Sequence, residues 1–153
     1  MVALYDFIFE IKNMTEIELI TALAKAYNKL DYTEIEDFVI DNVVYESEQI
    51  MAPFFGKQEV FDFIRSQFDT IRNLGVVLSA ELATINIEKY SHFFRFDSYS
   101  NKPCLILSAS DDEKDDKPAL VFITTRNGLI SNILFRTRIP DFSKAVGTNQ
   151  FPS

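Results

Sequence analysis

The sequence predicts one α+β domain in which three N-terminal helices pack on a curved, mixed and mainly antiparallel sheet. Three observations carry this. Apolar residues recur at helical spacing between Thr15 and Ile71, at strand spacing after Gly75, and the dipeptide Asn127-Gly128 sits between two strand-like runs. At 153 residues the chain has the size of a single domain over 1–153, with an N-terminal arm over 1–14 and an irregular tail over 139–153. A domain of this size buries roughly 68–70% of its unfolded surface, enough for a core without disulfides.

The first twelve residues leave three readings open. Ala3, Tyr5, Phe7, Phe9 and Ile11 alternate as in a strand, but Leu4 and Ile8 interrupt the pattern. An extra strand, a short helix and an arm on a neighbouring subunit all fit. From Thr15 the pattern is clear: Thr15-Glu16-Ile17-Glu18 has capping-box spacing, and Ile17, Ile20, Leu23, Ala24, Tyr27 and Leu30 form an apolar face. Thr33-Glu34-Ile35-Glu36 repeats the spacing and predicts a second helix with Ile35, Phe38 and Val39 as its stripe. Asn42–Ser47 reads as a strand and Gln49–Ala52 as a short second one, with Pro53 and Gly56 as punctuation. Val60, Phe61, Ile64, Phe68 and Ile71 predict the third helix, with Arg65 and Asp69 as an i,i+4 pair and Gly75 as the terminator. Strands follow over Val76–Glu88, Pro103–Ser110, Ala119–Arg126 and Leu129–Arg138. Asn127-Gly128 is a type I′ hairpin turn, and Pro140 ends the sheet.

Composition narrows the function more by exclusion than by assignment. A net charge of −8 argues against nucleic-acid binding, which needs a positive surface. No apolar run of about 18 residues spans a membrane, and no charged segment precedes an apolar one as in a secretory signal. One cysteine, Cys104, excludes an intrachain disulfide and fits a reducing compartment; the expected location is cytoplasmic. Fifteen Phe and no Trp point to a Phe-rich core or an aromatic-lined cavity. No metal or other cofactor is expected: one His and one Cys cannot build a zinc site without carboxylates, and Asp111–Asp116 lacks calcium-loop spacing. The acidic run reads as a solvated hairpin tip, and Cys104 as inert core. Arg126, Arg136 and Arg138 read as exposed strand positions or as a clamp for an anion.

The order helix, helix, two short strands, helix, four long strands resembles the nuclear transport factor 2-like superfamily, which includes ketosteroid isomerases, scytalone dehydratase and polyketide cyclases. Asp37–Ser47 followed by Phe55–Ile64 carries the likeness: an apolar pair ending a helix, an acidic turn, a strand, and a Gly56-Lys57 opening the third helix. Asn127-Gly128-Leu129-Ile130 is similar to the turn into the family's last strand. The resemblance spans about residues 15–138 and implies a cone, a cystatin-like roll whose mouth is a concave, mostly apolar pocket. It implies Val43, Tyr45 and Ser47 pointing inward and Val44 and Glu46 outward, with Tyr27, Val43, Tyr45, Ser47 and Phe68 lining the pocket.

The same resemblance weakens an isomerase assignment. It places Ser47 where the isomerases carry a carboxylate base, and a neutral hydroxyl is too weak a base for that step. It places Leu23 where they carry a hydrogen-bonding Tyr. The dehydratase-like members use a His with an acidic partner, which makes His92 and Asp97, with Tyr45, the candidate catalytic groups; a surface His92 is the simpler reading. Three functions are therefore expected in order: a cone-fold protein binding a small hydrophobic ligand, a lyase or isomerase, and a dimeric interaction module. The last follows from β-strands apolar on both faces, Leu120, Phe122, Ile130 and Leu134 on one parity and Val121, Ile123, Ile133 and Phe135 on the other. This predicts a homodimer.

Overall fold

A computed structural model describes residues 14–47, 50–86, 103–109, 119–136 and 144–150. Helix α1 (Glu16–Lys29) begins at the predicted capping box: the Glu18 N–H donates to Thr15 Oγ1 at 3.1 Å and the Thr15 N–H to Glu18 Oε1 at 3.3 Å. Both bonds satisfy N–H groups the helix leaves orphaned, so Thr15→Ala is expected to cost about 1 kcal/mol in chemical denaturation. A loss indistinguishable from zero would show that water replaces the cap. The buried face is Leu19, Ile20, Leu23, Ala24, Ala26 and Tyr27. Ile17, expected on that face, is 53% exposed, because it lies at the flank of an arc centred on Leu23 while Leu19 falls within it.

The expected second α-helix is absent; two 3-10 turns, Tyr32–Glu34 and Glu36–Phe38, stand in its place. The cap explains this. Asp31 Oδ1 accepts from the Thr33 N–H at 3.0 Å and from the Thr33 hydroxyl at 2.6 Å, so Thr33 serves as a donor and caps nothing itself. So few residues before the first strand cannot repay the cost of nucleating an α-helix. Among the described residues two α-helices, not three, lie on the sheet.

Strand β1 (Val39–Ser47) starts earlier than predicted, and β2 is Phe54–Phe55 rather than Gln49–Ala52. Pro53 has no N–H to pair, so the edge strand forms only after it, with Phe54 opposite Tyr45 and Phe55 opposite Val44. Gly56 then turns the chain with φ 89 and ψ 152, a conformation essentially confined to glycine. Its N–H donates to Val43 O at 2.8 Å, and its carbonyl accepts from the Val60 N–H at 3.0 Å, so it both closes the hairpin and opens α2 (Lys57–Asn73). Helix α2 buries Val60, Phe61, Ile64 and Phe68. Arg65 pairs with Asp62 and Arg72 with Asp69, both i,i+3, rather than Arg65 with Asp69. At its end Gly75 adopts φ 70, and the Gly75 and Val76 N–H groups bond back to Arg72 O and Ile71 O.

Strands β3 (Leu78–Asn86), β4 (Pro103–Ala109), β5 (Ala119–Arg126), β6 (Leu129–Arg136) and β7 (Lys144–Gln150) complete a seven-stranded sheet of order β2-β1-β6-β5-β4-β3-β7. It is mixed: β1 runs parallel to β6 and every other neighbour is antiparallel. The β5–β6 turn has φ 54 at Asn127 and φ 76 at Gly128, as a type I′ turn requires. The tail expected to be irregular supplies β7, which pairs with β3 from Asn86↔Lys144 to Glu81↔Gln150. Its partner lies some 60 residues away, beyond any local pattern.

The two sheet faces differ from simple alternation. Helices α1 and α2 cover Val43, Tyr45, Leu105, Val121, Ile123, Ile130 and Ile133, while Ala83, Cys104, Leu120, Phe122 and Leu134 form a second cluster. Ile130 was expected on the parity of Leu134. A register shift between Thr124 and Thr125 moves it to the helix face, where the Ser131 hydroxyl donates to Thr124 O at 3.1 Å.

Candidate functional site

A cavity of about 450 Å³ lies between α2 and the sheet. Helix α2 contributes Ser66, Gln67, Phe68, Thr70 and Ile71; α1 contributes Tyr27; the strands contribute Leu78, Leu107, Ala109, Ala119 and Phe135. Register explains the hollow. Leu78 faces Ala109 across β3–β4, and Leu107 faces Ala119 across β4–β5, so each large side chain has only a methyl opposite it. Spacing along α2 puts Gln67, Thr70 and Ile71 on one side of the helix. The floor is anchored by Tyr27 and Phe68, whose rings meet edge-on at 5.3 Å.

The polar groups at this cavity are few and none is ionised at neutral pH. Thr70 Oγ1 donates to Ser66 O at 3.0 Å and is thereby occupied. Among the described residues the Tyr27 and Tyr45 hydroxyls are buried without a hydrogen-bond partner. Burial raises the pKa of Tyr27 well above its ordinary value, and the neighbouring Tyr45 adds to that. Burial also raises the pKa of Tyr45, a shift tempered by the nearby Gln67 amide. Both tyrosines are therefore neutral phenols over the physiological range and act as neither bases nor nucleophiles.

Of the residues expected to line the pocket, Tyr27 and Phe68 do so. Val43 and Tyr45 point to the helix side but are fully buried in the core and form none of the lining; the Tyr45 and Phe63 rings meet at 5.2 Å, tilted by 58°. Ser47 lies apart, in a smaller hollow of about 200 Å³ with Glu46, Ile50, Pro53, Leu134 and Arg136. His92 and Asp97 lie outside the described residues, as do the acidic run Asp111–Asp116 and Arg138. Arg126 is exposed and Arg136 half-buried. Cys104 is fully buried, and burial pushes its thiol up to about 12. No group of His, Cys, Asp and Glu among the described residues could hold a metal, and no described helix is long and apolar enough to cross a membrane.

Sequence reasoning missed Ser66, Gln67, Thr70, Ile71, Leu78, Leu107, Ala109, Ala119 and Phe135. Gln67 carried a usable signal. It lies three residues after Ile64 and four before Ile71, so it interrupts the apolar stripe of an amphipathic helix with an amide. The alanines carried none, since a small residue opens space only when its cross-strand partner is known.

No protein-family model matches the sequence, and no curated protein matches it. Solved structures do match. One is a nuclear transport factor 2-like protein of unknown function from Cytophaga hutchinsonii, 13% identical, with a TM-score of 0.51, covering 77% of this chain and 97% of that one. A further such protein from the same organism is 11% identical with a TM-score of 0.50 and covers 80% and 89%. A de novo designed protein with a curved β-sheet is 15% identical, with a TM-score of 0.49 and coverage of 82% and 88%. At these identities the likeness concerns architecture alone. Two α-helices on one face of a mixed sheet among the described residues, with the two Cytophaga hutchinsonii structures as neighbours, give this chain the nuclear transport factor 2-like fold.

Proposed function

We propose that the protein binds a small, mainly apolar molecule in the cavity between α2 and the sheet, at the mouth of a cone-shaped roll, with no catalytic step assigned. The observation that supports it most is the cavity itself: about 450 Å³, walled mainly by tyrosine, leucine, isoleucine, phenylalanine and alanine side chains from both helices and four strands. This volume falls within the range of about 300–1,000 Å³ typical of small-molecule sites. A catalytic reading has less support. Tyr45 is a buried neutral phenol, and no carboxylate lines the cavity among the described residues.

Titration with the fluorescent hydrocarbon 2-ethylnaphthalene tests the reading. Saturable one-to-one binding is expected, and Ala119→Phe, which fills the hollow opposite Leu107, is expected to weaken it by about tenfold or more, the scale of losing a few buried methylenes. Absence of saturable binding to folded wild-type protein, or an Ala119→Phe variant binding as well as wild type, would sink it.

A further inference from the structure

We propose that the occupant of this cavity is an uncharged molecule carrying one hydrogen-bonding group on an apolar skeleton, and that Gln67 is the residue that receives that group. This rests on the cavity reading above and specifies the ligand class.

The cavity's lining carries no charged side chain among the described residues. A carboxylate or ammonium placed there would lose its hydration with no counter-charge to replace it. Pure hydrocarbon is a poor match for the opposite reason. Gln67 sits on the apolar side of α2 and lines the cavity, half-buried. Its amide carries two donor hydrogens and an acceptor oxygen, and it lies near enough to the Tyr45 hydroxyl to lower that group's pKa. The other polar groups are less suited. Thr70 is engaged with Ser66 O, Ser66 is exposed, and the Tyr27 hydroxyl is itself withdrawn behind the wall. Gln67 is thus the accessible member of a polar trio, with two unpartnered phenols behind it. Unmet hydrogen-bonding capacity next to an apolar cavity favours a ligand that brings a complementary polar atom, because filling the site with hydrocarbon would seal those groups in unpaired.

The test compares three probes of similar shape: 2-acetylnaphthalene, 2-ethylnaphthalene and 2-naphthoate, in wild type and in Gln67→Met, which keeps the side-chain length and removes the amide. The quantity read is the ratio of ketone to hydrocarbon affinity. It is expected to fall about tenfold in Gln67→Met, the scale of one net hydrogen bond, with naphthoate binding more weakly than the ketone throughout. A ratio unchanged by the substitution overturns the role of Gln67, and naphthoate binding as tightly as the ketone overturns the uncharged class; in both cases the hydrocarbon still binds and the cavity reading stands. No binding of any probe defeats the cavity reading itself. Should Gln67→Met not fold, the side-chain amide resonances of Gln67 in wild type provide the same decision. They are expected to shift with the ketone and not with the hydrocarbon, and an equal response to both overturns the proposal.

Discussion

Replacing Phe122 by alanine is expected to lower the stability of the chain by about 3–5 kcal/mol, the usual cost of emptying a fully buried aromatic site. Phe122 is 1% exposed on the sheet face away from the helices, beside Leu120, Cys104, Ala83 and Leu134. The sequence pattern predicts that this face needs a second copy to cover it. Within one chain these residues are withdrawn from solvent. Urea unfolding at two widely separated protein concentrations distinguishes the cases. A large loss with a concentration-independent midpoint matches a face buried within the chain. A loss below about 1 kcal/mol at the lower concentration, with a midpoint that climbs with concentration, matches a face covered by a dimer.

The double variant Tyr27→Phe, Tyr45→Phe is expected to be more stable than the wild type, by about 2 kcal/mol at neutral pH. Each buried hydroxyl lacks a partner among the described residues, and an unmet buried donor costs roughly 1–3 kcal/mol. The pH dependence follows from the same burial. In the unfolded chain a tyrosine ionises near pH 10, give or take its neighbours, at about its ordinary value. Burial raises both folded values, so above that pH the unfolded state binds fewer protons than the native state and stability falls as pH rises. The variant lacks both groups. Its advantage should therefore be constant through neutral pH and widen from about pH 10 upward. Cys104, pushed up to about 12, adds an alkaline loss of the same sign, but it is present in both proteins and cancels. A double variant less stable than the wild type at neutral pH would mean that the two hydroxyls are well satisfied, and would remove one support for a polar end to the cavity.

The elements read correctly from sequence are those set by neighbours within one helical turn or one tight turn. The Thr15 capping box and the Gly75 stop of α2 complete their hydrogen bonds within a few residues, Gly56 opens α2 by accepting from the Val60 N–H, and Asn127-Gly128 turns by its own left-handed backbone. The misread second helix shows how narrow that margin is. Two adjacent signals competed, and Asp31 captured the Thr33 hydroxyl that the predicted cap needed. Leu30 shows the opposite case. It ends α1 with φ 52, where glycine would be favoured, and Arg72 Nη2 from α2 donates to its carbonyl at 2.7 Å.

By itself the sequence determined the α+β class, the two α-helices, the four strands β3 to β6, and the inward side of β1 at Val43 and Tyr45. These follow from period, capping and composition, whose energetics are local. Tertiary structure decided that β7 closes one sheet edge, that the bulge at Thr124–Thr125 moves Ile130 to the helix face, and that Ala109 and Ala119 stand opposite Leu78 and Leu107. It also decided that Gln67 and Tyr45 share one buried corner. The physical reason is register. A strand's pairing is chosen by the summed fit of residues tens of positions apart, and one residue of slip reverses every side chain. A cavity is the place where that sum leaves space, and no single segment contains it.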